Sequence, residues 1–260
     1  MSDLMVHCVA RIVTRDALDL VPVPDATSTW FPVGHGQVVT MVHAALAADG
    51  FAVRQQQYAL TRGADARLFA TLDLESPLAP GVGLSVGIRN STDKSLPFGF
   101  CAGNRVFVCD NLSFKANLVV ARKHTRNGLE RYREAIALAV KSLTQFQQVE
   151  AGRIEVLSQT DVSDDRASGV ILRAFEDGLV SSRALPAVIR EWREPTYGDF
   201  WPRTAWSLFN AFTTVLGPMY RSSPQRYAGL TMGLQGLVDL AAGLHTVIEM
   251  PAEVQQALAV

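Results

Sequence analysis

Hydrophobic positions along the chain follow one period, then another. From His35 to Asp49 they recur at helical spacing (Val38, Met41, Val42, Ala45, Leu46), and the segment stops at Gly50, the residue best suited to a left-handed C-cap. From Phe51 the period shortens from about 3.6 to about 2. Strand-like runs follow over Phe51 to Thr61, Ala66 to Glu75, Gly81 to Arg89, and Phe98 to Ala102 with Arg105 to Cys109. Gly103-Asn104 between the last two is a two-residue hairpin signal. At Asn127 the helical pattern returns, with Asn127 as N-cap, Glu130 completing a capping box, and Leu129, Tyr132, Ile136, Val140 and Leu143 on one face. Further helices are marked by Ser163 or Asp164, by Ser182, by Pro202 in a first turn and by Ser223-Pro224 as N-cap and N1. Upstream, Pro22, Pro24 and Pro32 make the first 32 residues a short strand and helix followed by an extended arm.

Strands clustered in the middle of the chain with helices on either side predict an α+β fold. An antiparallel β-meander is flanked by an N-terminal helix and a C-terminal set of helices, and a doubly wound sheet is disfavoured. We divide the chain into an α+β domain over 1–150 and a helical region over 151–260 that packs on it, either separate or continuous with it. A turn at Gly103-Asn104 would set Cys101 opposite Val106 and Phe98 opposite Cys109. Phe98, Phe100, Phe107 and Cys109 would then share one face, core or base-stacking, while Cys101 pointed to the other. In that register Cys101 and Cys109 form neither a disulfide nor a common metal site with His124.

Composition supports a folded protein: of 260 residues, 48% are hydrophobic and 19% charged, enough to bury a core. Apolar runs are too short and too interrupted for a membrane span, so no membrane partner is expected. No leader pattern opens the chain, and three cysteines at long spacings suit a reducing compartment, which together predict a cytoplasmic protein. Overall charge is −1, but the distribution is uneven. Residues 89–133 hold nine Lys or Arg against three acids, a local charge of +6 that leaves −7 for the rest. Concentrated positive charge favours a phosphate-facing surface.

Motifs for common enzyme chemistry are missing: there is no phosphate loop, dinucleotide fingerprint, His-Glu-x-x-His or nucleophile elbow. His35 and His43 lie about two helical turns apart, too far for one ion by themselves. No metal and no cofactor is expected. Asp73 and Glu75 share a strand face without a following Glu-x-Lys and read as exposed carboxylates. Asp110-Asn111 reads as an Asx turn after a strand. The run Arg122-Lys123-His124-Thr125-Arg126-Asn127 stands before a helix N-terminus, where basic side chains oppose the helix dipole unless an anion neutralises them. In the C-terminal half, Trp201, Trp206, Phe209 and Phe212 read as core or a subunit contact, with Asn210 as a polar latch among them.

One arrangement is more specific. Gly87-Ile88-Arg89-Asn90-Ser91, Gly103-x-Arg105-Val106-Phe107-Val108-Cys109-Asp110-Asn111-Leu112-x-Phe114 and Lys123-His124-Thr125 resemble a bacterial family of domains of unknown function described as phage- or plasmid-like proteins. Pro32-Val33-x-His35 and Ser207-Leu208-Phe209-Asn210-Ala211-x-Thr213 belong to the same resemblance. It implies a mobile-element setting in a bacterial cytoplasm and brings no catalytic residues. The architecture also looks like the core of single-strand annealing proteins, an analogy of shape alone. The sequence therefore predicts a binding protein for single-stranded DNA or RNA, with Arg89, Arg105, Lys115, Arg122, Lys123 and Arg126 on phosphates and a homo-oligomer among its assemblies. The alternatives are a hydrolase or nuclease using Asp110, Asn111 and His124, with His124 as general base, or a structural assembly protein.

Overall fold

The computed structural model describes residues 10–61, 64–106, 111–222 and 224–244. Six strands, β1 (Ala10–Val13), β2 (Val53–Thr61), β3 (Arg67–Ala79), β4 (Val82–Ser91), β5 (Phe98–Val106) and β6 (Asn111–Arg122), form one sheet in chain order. Every neighbouring pair is antiparallel, so the sheet is a pure meander. Eight helices accompany it among the described residues: α1 (Arg15–Asp19), α2 (His35–Ala48), α3 (Gly128–Lys141), α4 (Leu143–Gln159), α5 (Asp164–Glu176), α6 (Leu185–Arg193), α7 (Ala205–Ser222) and α8 (Pro224–Ala241). The α+β prediction holds.

Local signals explain most boundaries. After α2, Gly50 takes φ 81° and donates to Ala47, the left-handed exit that a side chain would resist. At α5, Ser163 accepts a hydrogen bond from the Arg166 amide, a proper N-cap. At α3 the expected capping box is not formed. The Asn127 side chain makes no cap bond, and Glu130 pairs with Arg133 at 3.3 Å instead.

Alternation along the strands sorts the two sheet faces. Leu68, Ala70, Leu72 and Leu74 of β3 fall on one face with Val82, Leu84, Val86 and Ile88 of β4 and Phe98, Phe100 and Ala102 of β5, and all are buried. Phe98 and Phe100 are therefore core, not an exposed stacking platform. Tyr132 of α3 stacks on Phe98 at 4.9 Å and donates to the Gly99 carbonyl at 3.1 Å. One hydrophobic cluster runs from Leu18 through the sheet to Val238 of α8. The 150/151 boundary falls inside α4, where Glu150 is buried and accepts from Asn104 at 2.8 Å and from Arg153 at 3.1 Å. Arg153 reaches Asp239 of α8 at 2.7 Å, so one buried polar chain ties sheet, α4 and α8 together.

The Gly103-Asn104 turn is not there. Strand β5 runs straight through both residues: Gly103 pairs with Ser85 and Phe114, and Asn104 with Leu84 and Ser113. A register shift between Cys101 and Gly103 absorbs the irregularity as a bulge, a common use of glycine in a strand. The Asn104 amide serves Glu150 and not its own backbone. The reversal comes between Val106 and Asn111, and Phe107 and Cys109 lie outside the described residues. Without that turn, Cys101 is not set opposite Val106 nor Phe98 opposite Cys109; Cys101 instead pairs with Gly87 and Val119. Strand β6 is an addition to the expected elements: the chain between the Asx turn expected at Asp110-Asn111 and the basic approach to α3 is a strand of the sheet.

Candidate nucleic-acid interface

Strands β4, β5 and β6 bring one end of the sheet together at Ser91, Phe98 and Arg122, and three connections meet there. The arm between α1 and α2 is anchored by a bond from the Phe31 amide to the His124 carbonyl at 2.9 Å, and a Thr27–Trp30 turn lifts the Trp30 ring beside it. The β4–β5 connection carries Lys94, held at φ 68°, with its ammonium 5.0 Å from the centre of the Trp30 ring. In the β6–α3 connection the Arg126 guanidinium stands 5.7 Å from the centre of the Phe31 ring. Lys94, Lys123 and Arg126 are exposed, and the aromatic residues are half-buried. Cations and aromatic rings thus alternate along one rim.

Nearby charges are arranged to leave the rim positive. Burial alone would raise the Asp93 carboxyl, but hydrogen bonds from Ser95 and Arg67 outweigh it and hold it below its ordinary value; Arg67 sits at 3.0 Å. Arg122 is nearly buried and donates to the Ala121 carbonyl at 2.8 Å, and its pKa is lowered by burial and then by the charge of Arg131. It supports the loop from beneath. Because Asn127 does not cap α3, the positive end of that helix dipole adds to the same side.

Beneath the rim lie two buried histidines. His124 is 5% exposed, its ring 3.9 Å from that of Phe98. Its nitrogens face the Leu96 and Phe31 carbonyls without reaching hydrogen-bond geometry. Burial lowers its pKa, the two carbonyls oppose this, and His35 lowers it further. His35 is fully buried and bonded on both nitrogens, to Asp65 O at 3.0 Å and to Asn90 Nδ2 at 3.0 Å.

Not every predicted phosphate ligand reaches this rim. Arg105 is corrected outright: it is 2% exposed, on the sheet face opposite the hydrophobic core, and pairs with Asp73 at 2.9 Å. Ser85 donates to the same carboxylate at 2.6 Å. Asp73 is likewise not an exposed strand carboxylate. Arg89 lies half-buried on that opposite face, its side chain across Gly99. The side chain of Lys115, like that of Asn111, lies outside the described residues, as does Asp110 entirely.

Nor does the fold assemble the hydrolytic alternative. Asn111 opens β6 opposite Val106, whereas His124 follows the other end of that strand, opposite Phe98. At roughly 3.3 Å per residue the two stand on the order of 30 Å apart. His124 moreover has no solvent access suited to a general base. Among the described residues no group of three or more His, Cys, Asp or Glu could hold a metal ion. Among them, too, no helix is long and apolar enough to cross a membrane.

Sequence reasoning missed Trp30, Phe31 and Lys94. A Trp-Phe pair in a proline-rich arm was the available signal, but its partners lie more than 60 residues away. The chain belongs to the DUF932 family, a domain of unknown function, whose model matches residues 26–226. The match includes the part of the arm that carries Trp30 and Phe31, the strands from β2 on and the β6–α3 connection. No curated protein and no solved structure matches the chain.

Proposed function

We propose that the protein binds single-stranded nucleic acid along this rim, without catalysis. The observation that carries the reading is the pairing of Lys94 with Trp30 and of Arg126 with Phe31, next to exposed Lys123. Phosphates would be met by the three cations. Unpaired bases would stack on the outer faces of the two rings, each stacked base contributing about 1–3 kcal/mol. A duplex hides its base faces and gains only the electrostatic part. We place this activity in the cytoplasm of a bacterium, in the mobile-element setting that the resemblance implies.

The test is fluorescence anisotropy with a short single-stranded oligonucleotide at several salt concentrations. Changing Lys94, Lys123 and Arg126 together to Ala should weaken binding and flatten the log-affinity against log-salt slope by about 2, since each lost single-strand contact removes about 0.7. All three side chains are exposed, so the variant should keep the wild-type circular dichroism. Equal affinity and slope in the two proteins would end the reading. Equal affinity for duplex would remove the stacking part.

A further inference from the structure

We propose that the same rim carries an acid-sensitive latch, in which protonation of the buried pair His35 and His124 releases the arm that presents Trp30 and Phe31. The proposal rests on the nucleic-acid reading only for its consequence in binding. The latch itself stands on hydrogen-bond geometry.

Asn90 of β4 holds the arm through its side-chain amide, which donates at 2.9 Å to the Val33 carbonyl and at 3.0 Å to His35 Nδ1. A carbonyl can only accept, so the Val33 bond fixes the amide nitrogen in that position. His35 Nδ1 must then be the acceptor, and Nε2 carries the proton donated to Asp65 O at 3.0 Å. His35 is neutral in this arrangement. A proton on Nδ1 would set N–H against N–H, and turning the Asn90 amide to offer its oxygen would set oxygen against the Val33 carbonyl. Either way one arm anchor is lost. The Asn90 Oδ1 atom has no hydrogen-bond partner as it stands, so the present orientation holds for the sake of Val33 and His35 alone.

The second anchor is the Phe31 amide on the His124 carbonyl. A charged His124 ring would sit buried against Phe98, where the Leu96 and Phe31 carbonyls favour the charge but do not outweigh the cost of burial, a strained position relieved by moving outward and taking its backbone with it. His35 and His124 are close enough that a charge on one opposes a charge on the other. Facing them, the Asp65 and Asp93 carboxylates favour protonation of His35, but both are engaged, with Arg11 at 2.6 Å and Arg67 at 3.0 Å. From the other side, Lys123 and Arg126 flank His124 in the chain and add no negative charge. Burial dominates, and both histidines are held below the ordinary value of about 6.5. With folded values lowered, the released state binds more protons, so the latch is fully closed above about pH 6.5 and weakens as pH falls from there through the folded values.

Hydrogen–deuterium exchange of the full chain at about pH 7.5 and about pH 5.5, normalised for intrinsic rates, reads the latch directly. Protection over residues 20–34 should fall about tenfold or more at the lower pH, while α7 keeps its protection. His124→Phe preserves the ring contact and should reduce the response, as should His35→Gln, and the two together should abolish it. Equal arm protection at both pH values overturns the proposal, as does loosening of α7 in step with the arm or a wild-type response in both variants. Oligonucleotide affinity should fall with arm protection. An arm that opens while no oligonucleotide binds at either pH supports the latch and removes the nucleic-acid reading. Binding that ignores an opening arm overturns the regulatory role.

Discussion

Replacing Arg105 by Met separates a structural role from a phosphate-binding one, because the two assignments predict opposite outcomes. In the fold the guanidinium lies 2.9 Å from Asp73 and 3.4 Å from the Thr71 hydroxyl, and both members of the pair are almost wholly removed from water. Methionine approximates the aliphatic stem but leaves the Asp73 carboxylate buried with its cation gone. Breaking a buried pair from one side typically costs about 3–5 kcal/mol, several times the value of a surface pair. Ser85 would still donate to Asp73, which places the expected loss toward the lower end of that range. Urea denaturation followed by circular dichroism measures it as a fall in midpoint at unchanged slope. Removing the charge from both sides, with Asp73→Asn added to Arg105→Met, should recover part of the loss. The Arg105 Nε atom has no hydrogen-bond partner in the native pair, so the pair is not ideally satisfied to begin with. Once folded, the single variant should bind single-stranded oligonucleotide as the wild type does. A stability loss under about 1 kcal/mol, together with a clear drop in affinity and salt slope, would refute the buried-pair assignment and return Arg105 to the phosphate surface.

Further expectations concern the rim and the opposite face of the sheet. A β-carbon at Gly128 would come within 2.3 Å of the Lys123 carbonyl oxygen, a backbone atom, so Gly128→Ala should displace the 123–127 connection. We expect a melting-point loss equivalent to about 1–3 kcal/mol together with weakened oligonucleotide binding; unchanged melting and binding would show that the connection yields freely. At Cys101, burial pushes the thiol up to about 12, against smaller opposing effects of the Gly87 backbone and Arg89. Its alkylation at about pH 8 should be roughly a thousandfold slower in the folded protein than in urea, followed by peptide mapping so that Cys8 and Cys109 are scored separately. Comparable rates in the two states would place Cys101 in an open, solvated setting.

Strands whose apolar residues recur at every second position, such as Ala66 to Glu75 with Leu68, Ala70, Leu72 and Leu74 on the core face, were legible because one face is buried in the core and the pattern records that burial locally. The helices α2, α3 and α5 were legible for the same reason at helical period, with Gly50 and Ser163 marking an exit and an entrance. Gly103-Asn104 misled because a turn signal is a statement of local cost. The β4 and β6 backbones on either side, with Glu150 waiting for the Asn104 amide, made the extended conformation the better one. Strand β6 carries the same alternation as the strands that were legible, since Leu112, Phe114, Ala116 and Leu118 alternate with Ser113, Lys115 and Asn117, so its period was legible in the sequence although it was not among the expected strands.

The candidate site shows the same limit more sharply. A charge count over residues 89–133 treats sequence proximity as spatial proximity, yet that window contains two whole strands that cross the sheet from end to end. A crossing strand carries its charges away from one another. Arg105, within β5, ends on Asp73, and Asn111 is separated from His124 by the length of β6. What a meander does keep together are the connections at one end of the sheet, and these come from alternate reversals of the chain. Lys94 and Arg126 therefore share one end, and the arm, part of the long β1–β2 connection, runs back to it and brings Trp30 and Phe31 to them, although Lys94 lies 64 residues from Trp30 and Arg126 lies 95 residues from Phe31. For an antiparallel meander, charge is better summed over every second connection than over a continuous window: of the cations in the +6 segment, Lys94, Lys123 and Arg126 gather at the rim, while Arg105 pairs with Asp73 within the sheet.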